Sequence, residues 1–268
     1  MPIKRIYLLV KAYPEKSKKH GSSICTAGLT TEGEWIRVYP IDLSYYSINK
    51  DMLKKWNLIE ADVREASEKL KRKESHKIIE HSIKLVDDSL TKISTSKLKK
   101  QKIWDDRNQI ILPHLNKSIK ELDELKSKDH TSLGIIKPKK YQFKIRKKID
   151  EIEVIKSNFI QKTLDGYKVN IPDQIEKTFS YKFRCDDPLC KGHDMICEDW
   201  ELFEAFRSWK KKYTSPTELE KKLREKFDTN MKKRDLYFIV GTTSLFGTWV
   251  IIGLYYPPKS KNKLLLEF

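Results

Sequence analysis

The sequence of 268 residues predicts an α+β protein: a small N-terminal β-barrel, a helical connection, and a C-terminal half with a metal knot, two helices and a β-hairpin. Three observations predict it. Short apolar or alternating runs separated by turn residues fill the N-terminal third, the pattern of a small barrel. Apolar residues at helical spacing then take over. Further on, Cys185, Cys190, His193 and Cys197 follow the spacing C-x4-C-x2-H-x3-C, and thiolate with imidazole is the donor set that tetrahedral zinc prefers. The expected boundaries are 1–93 for the β domain, 94–135 for the helical connection and 136–268 for the α+β domain with the Cys/His cluster.

Ile6 to Val10 is a continuous apolar run and reads as a central strand. Ser23 to Leu29 is a second strand, Thr30 to Gly33 a turn, and Trp35 to Ile41 a third strand. In the third, Trp35, Arg37 and Tyr39 share one face, and Ile36 and Val38 share the other. Ile59, Ala61 and Val63 alternate with charged residues as a fourth strand, and Ser82 to Val86 is a candidate fifth. Beyond the basic run Lys97 to Lys102, Ile111, Leu115, Ile119 and Leu122 recur at helical spacing. Proline is tolerated in a first turn, so Pro113 predicts that this helix begins near Asn108, and Trp104-Asp105-Asp106-Arg107 reads as a helix-start signal. From Lys137 to Lys148 there are seven basic residues and no acid. There Tyr141, Phe143 and Ile145 alternate with Lys140, Lys144 and Arg146, as in a strand with one aromatic and one cationic face. After the Cys/His cluster, Asp199 is a natural N-cap for a helix with the stripe Leu202, Phe206, Trp209 and Tyr213. Ser215-Pro216-Thr217-Glu218 is a capping box for a second helix. Leu236 to Thr242 and Thr248 to Tyr256 are spaced as a hairpin.

The cysteine cluster predicts a structural Zn2+ held by Cys185, Cys190, His193 and Cys197. The competing readings are reduced cysteines packed in the core, Cys197 above all, and a disulfide, which the lack of any secretory mark disfavours. Lys plus Arg number 55 against 38 Asp plus Glu, a net charge of +17. Such an excess favours polyanions through counterion release, so nucleic acid is the expected partner, DNA before RNA. An anionic membrane surface or plain solubility would use the same charge. No apolar run approaches the length of a membrane span, so the expected setting is the cytoplasm, with no membrane partner. The sequence leaves the oligomeric state open.

Candidate nucleic-acid contacts are Lys18 and Lys19 in a basic loop, Trp35, Arg37 and Tyr39 as a stacking and phosphate-holding face, and Lys140, Lys144 and Arg146 as a cationic strip. The plainer readings are a barrel-core tryptophan and an edge strand guarded by lysines. Glu198, Asp199 and Glu201 would be catalytic candidates only in an enzyme, since acids in a first helical turn also complement the helix dipole. The sequence contains no Walker loop, G-x-G-x-x-G, H-E-x-x-H or G-x-S-x-G motif.

Two segments carry a family resemblance. Lys18-Lys-His-Gly-Ser-Ser-Ile-Cys25-Thr-Ala-Gly28, followed by Gly33-Glu-Trp35-Ile-Arg37, resembles the start of the dual-OB-type domains of prokaryotic proteins, over roughly the first forty residues. The resemblance implies an OB-like small β-barrel and a connection to nucleic acid, and it assigns no catalytic residue. The expected function is nucleic-acid binding with a structural zinc, in DNA processing or antiviral defence against foreign DNA. The alternatives are a DNA-acting enzyme, either a base-excising DNA glycosylase or a metal-dependent nuclease, and a protein-interaction module.

Overall fold

The computed structural model describes residues 2–12, 16–17, 21–66, 72–92, 94–147, 160–162, 168–170, 175–243 and 247–259. The fold is mixed α+β, and its N-terminal region is a closed five-stranded β-barrel. The barrel strands are β1 (Ile3–Lys11), β2 (Gly21–Thr30), β3 (Trp35–Asp42), β4 (Leu58–Glu65) and β5 (Ser75–Ile78). Around the barrel they run β1-β2-β3-β5-β4, and β1 closes the ring by pairing with β4. All neighbours are antiparallel except β3 and β5, which are parallel. A short helix α1 (Leu43–Ile48) lies between β3 and β4, and β6 (Lys84–Asp87) pairs antiparallel with the first residues of β4.

Strand alternation sorts the side chains. Ile6, Leu8, Ile36, Val38, Ile59, Ala61 and Val63 fill the barrel interior. Between Leu8 and Val10 the pairing of β1 with β2 slips by a residue; such a bulge re-aims the chain, and Leu9 and Val10 both belong to the cluster outside the barrel. Gly28 permits the closest approach of these strands, since a Cβ there would lie 2.0 Å from the Tyr7 carbonyl oxygen. The fifth barrel strand is Ser75–Ile78; the strand expected over Ser82 to Val86 is present as β6, after a 3-10 turn (Glu80–Ser82), and pairs with β4 without being one of the five barrel strands.

Helix α2 (Lys97–Ile111) follows, with Trp104 and Arg107 buried in its interior. The predicted single helix from Asn108 is therefore two. Pro113 sits in a 3-10 turn, Leu112–His114, that ends α2, because proline has no N–H to give a continuing helix. The chain then makes β7 (Leu115–Asn116) and re-enters helix at α3 (Ile119–Asp129), whose Ser118 cap accepts from the Glu121 N–H at 3.2 Å. Trp104-Asp105-Asp106-Arg107 lies within α2 and not at a helix start.

The C-terminal half holds two sheets. One orders β9 (Lys139–Lys147), β10 (Lys177–Arg184) and β11 (His193–Ile196). The other joins the hairpin β12 (Tyr237–Thr242) and β13 (Trp249–Tyr255) to β8 (Leu133–Ile136) and β7. Helices α4 (Trp200–Lys212) and α5 (Pro216–Arg224) carry the caps read from the sequence: the Leu202 N–H donates to Asp199 Oδ1 at 3.1 Å, and the Glu218 N–H to Ser215 Oγ at 3.4 Å. An aromatic core of Phe143, Phe179, Tyr181, Phe183, Phe206, Phe227 and Phe238 holds this half together. Among the described residues no helix is long and apolar enough to cross a membrane.

The two halves share a core. Leu9, Val10, Ala27 and Leu29 from the outer face of the barrel pack with Leu133, Ile135, Ile239, Val250 and Ile252 of the second sheet. Beside this apolar patch lies a buried polar latch. Arg37 Nη2 donates to the Ser132 carbonyl at 3.1 Å. The Ser132 N–H donates to the Glu74 carboxylate at 3.0 Å, and its hydroxyl to the same carboxylate at 2.6 Å. The Arg37 N–H in turn donates to the Glu74 carbonyl at 2.8 Å. Gly241 leaves room for the guanidinium, since a Cβ there would stand 2.9 Å from Arg37 Nη2. Replacing Glu74 with Ala orphans the Ser132 donors in a dry site, and we expect the full chain to lose about 3 kcal/mol of stability. An unchanged denaturant midpoint would show that the latch contributes nothing.

Candidate functional site

The hairpin between β10 and β11 builds the Cys/His cluster. Phe183 pairs with His193 across the two strands, so the chain leaves β10 at Cys185 and must return within seven residues. Asp187 makes the turn: its side chain accepts from the Leu189 N–H at 2.9 Å, and its carbonyl from the Cys190 N–H at 3.0 Å. Gly192 completes the return at a φ of +102°, a region open to glycine. The result places Cys185 Sγ 3.4 Å and Cys190 Sγ 3.3 Å from His193 Nε2. All three ligand atoms lie within 4.8 Å of one another. These spacings approach the ~3.5 Å edges of a tetrahedron with Zn–S near 2.3 Å and Zn–N near 2.0 Å. Burial raises the Cys185 thiol to about 11 and lowers the His193 imidazole. The group could hold a metal ion.

Cys197 stands apart. It follows β11, four residues beyond His193, and at ~3.3 Å per residue a strand separates the two by ~13 Å. Its side chain is fully buried in the aromatic core, and its N–H donates to the Phe179 carbonyl at 2.8 Å. The x3 spacing that looked like a ligand pattern is a strand pattern, and Cys197 is a core residue.

The three acids also separate. Asp199 is structural: besides capping α4 it accepts from the Leu254 N–H at 2.9 Å and lies 3.9 Å from the Lys55 ammonium. Burial would depress the Lys55 pKa, but Glu201 and Asp199 outweigh it and raise the value. The Glu198 N–H donates to the Ile251 carbonyl at 2.7 Å, joining the two C-terminal sheets. Only Glu201 is exposed, and it faces a cleft described below.

The predicted nucleic-acid residues scatter. Lys18 and Lys19 lie outside the described residues. Trp35 is half-buried, its ring 6.1 Å from that of His114. Arg37 belongs to the latch and is 6% exposed. Tyr39 accepts from the Ser23 hydroxyl at 3.1 Å. This outer face of β3 is thus largely committed to contacts within the chain, because the C-terminal half packs over the barrel beside it. In β9, Phe143 is buried while Lys140 and Arg146 face solvent and Lys144 is half-exposed, as the alternation predicts. Arg146 pairs with Asp194, and Lys139 with Asp186.

A cleft of about 410 Å³ lies where the barrel, α2, α4 and the end of β13 meet. Among the described residues its cations are Lys11, Lys54, Lys55, Lys100, Arg107 and Arg234, and its one acid is Glu201. Trp56, Trp104, Tyr255 and Tyr256 supply its aromatic wall. Sequence reading missed it because its parts come from seven separated segments. The one local signal was Trp104 three residues before Arg107, the spacing of two residues on one helix face.

Residues 114–268 match the model of Domain of unknown function (DUF8757), more than half of the chain. The chain belongs to that family. Residues 2–113 match a second model, Domain of unknown function (DUF8758), so the boundary between the two falls in the 3-10 turn after α2. No curated protein matches the chain.

The contrast between Asp199 and Glu201 is measurable. Asp199→Ala removes the cap, the acceptor of the Leu254 N–H and the nearer of the two carboxylates that offset the buried Lys55 charge, a loss of about 3 kcal/mol. Glu201→Gln, on an exposed position, stays within about 0.5 kcal/mol of the parent. Equal effects in denaturant titrations would refute this division.

Proposed function

We propose that this chain is a cytoplasmic nucleic-acid-binding protein, DNA before RNA, with a barrel of the OB kind and a zinc-stapled C-terminal half. The observation that carries the reading is the convergence of cations from both halves on one cleft with an aromatic wall. Cationic grooves with π-faces are how single-strand binders combine backbone and base contacts. The ring order β1-β2-β3-β5-β4, with a helix between β3 and β4, supports an OB-like barrel. In such barrels the β2–β3 face is the usual ligand platform. Here Ala27 and Leu29 on that face are buried against the C-terminal half, which moves the ligand to the junction. A net charge of +17 supplies the long-range attraction, and a role in DNA processing or defence against foreign DNA fits such a protein.

Exposed Glu201 on the cleft wall favours one further reading, a base-excising glycosylase in which this carboxylate faces the extruded nucleotide. One set of incubations covers both. Single-stranded DNA should bind with an affinity that falls at least tenfold between 50 and 200 mM salt, in line with several phosphate contacts. Alkali-labile breaks appearing in the same samples, and lost in Glu201→Gln, would make the protein an enzyme. Salt-insensitive or absent binding would overturn the nucleic-acid reading.

The zinc has its own test. Cys185, Cys190 and His193 would give three ligands to one ion, leaving one tetrahedral position to solvent or another donor. Protein purified without added metal should carry one zinc per chain. Cys190→Ser should lose it and melt at a lower temperature, while Cys197→Ser should retain it. Metal-free wild-type protein of equal stability would exclude the staple.

A further inference from the structure

The cleft at the junction has a charge imbalance that its own residues do not resolve. Lys54 pairs with Asp51, and Lys55 sits near Asp199. The other four cations make no ion pair among the described residues. Arg107 is the most constrained of them. It is 4% exposed, and its Nε and Nη2 both donate to the Leu90 carbonyl. Its guanidinium lies between two indoles, 5.0 Å from the Trp56 ring centroid and 4.7 Å from that of Trp104. Lys11 donates to the Tyr46 hydroxyl at 3.0 Å, and Arg234 to the Tyr256 carbonyl at 3.3 Å. Neutral oxygens and ring faces satisfy hydrogen bonds but leave the positive charge in place. A buried cation without a counter-charge is costly, and a bound anion would relieve it.

Size and wall narrow the anion. About 410 Å³ lies within the ~300–1,000 Å³ of small-ligand pockets, and this is room for one nucleotide and not for a duplex. Trp56, Trp104 and Tyr255 are buried behind the lining, so the aromatic face open to a ligand is that of Tyr256, half-exposed with the Arg234 guanidinium 6.0 Å from its ring. Glu201, the one carboxylate of the lining among the described residues, can only accept hydrogen bonds when ionised, so it suits a ligand that carries N–H or O–H donors as well as phosphate.

We propose that this cleft binds a single nucleotide unit, its phosphate among Lys11, Lys100 and Arg234 over Arg107, its heterocycle against the Tyr256 ring, and a base or sugar donor toward Glu201. The assignment rests on the nucleic-acid reading above and names the part of the ligand that enters the cleft. A free nucleoside monophosphate and an unpaired nucleotide within a strand present the same chemistry, and the test separates them.

The full chain is titrated by calorimetry and tryptophan fluorescence with a nucleoside monophosphate, inorganic phosphate, a single-stranded oligonucleotide and a blunt duplex. The variants are Lys100→Glu with Arg234→Glu, and Lys100→Ala alone as a milder change on an exposed position. We expect one saturable monophosphate site per chain, at least tenfold weaker for inorganic phosphate. The double variant should lose at least tenfold for monophosphate and single strand, and Lys100→Ala about threefold, with duplex affinity nearly unchanged. Tight monophosphate binding without any polymer binding would support the cleft as a site for free nucleotide and overturn the nucleic-acid reading. Polymer binding that both variants leave intact, with no monophosphate bound, would overturn the cleft and spare that reading. Inorganic phosphate binding as tightly as the nucleotide would overturn the assignment of a heterocycle.

Discussion

Leu9, Ala27 and Leu29 on the barrel and Ile135, Ile239 and Ile252 on the opposing sheet are withdrawn from water together. Full burial of an aliphatic side chain is worth roughly 1.5–3 kcal/mol, so these six alone supply a gross driving force on the order of 10 kcal/mol. Apolar packing of this kind has no direction of its own. The latch of Arg37, Ser132 and Glu74 supplies direction at its edge, because those hydrogen bonds close in one alignment only. The position of every charged group at the junction follows from this packing, including the placement of α2 beside the end of β13.

The same packing explains how a chain with so many cations arranges some of them inside. Arginine suits the interior when carbonyl oxygens and aromatic faces are available, since its charge is spread over a flat, weakly hydrated group. Arg37 and Arg107 both use carbonyl acceptors, and Arg107 also uses two tryptophans. Their roles differ through their surroundings. Arg37 has the Glu74 carboxylate one serine away, whereas Arg107 opens onto a cleft lined by further cations.

Much of the fold was legible because local physics decides it. The alternation in Trp35 to Ile41 gave a strand with two distinct faces, and Asp199 and Ser215 gave helix starts, since a cap is satisfied within a few residues. Errors came where distant contacts decide. Ile111, Leu115, Ile119 and Leu122 keep helical spacing across a break that Pro113 and the pairing of Leu115 with Ile135 impose. Cys197 shares residue type with true neighbours of His193, but the strand carries it away. The outward face of Trp35 and Arg37 was correctly read as a face. Whether a face meets solvent or another part of the chain is not written in its own segment. The cleft was invisible for the same reason: its tryptophans, lysines and arginines become neighbours only when both halves are assembled.

The boundary between the two family models, at residues 113 and 114, has a practical meaning. It separates a piece that carries the barrel and α2 from a piece that carries the C-terminal sheets, and the apolar patch between them is divided along its seam. Each fragment would display a sticky surface whose matching shape exists only on the other. Kept apart, each is a candidate for aggregation, which favours supplying them on one chain.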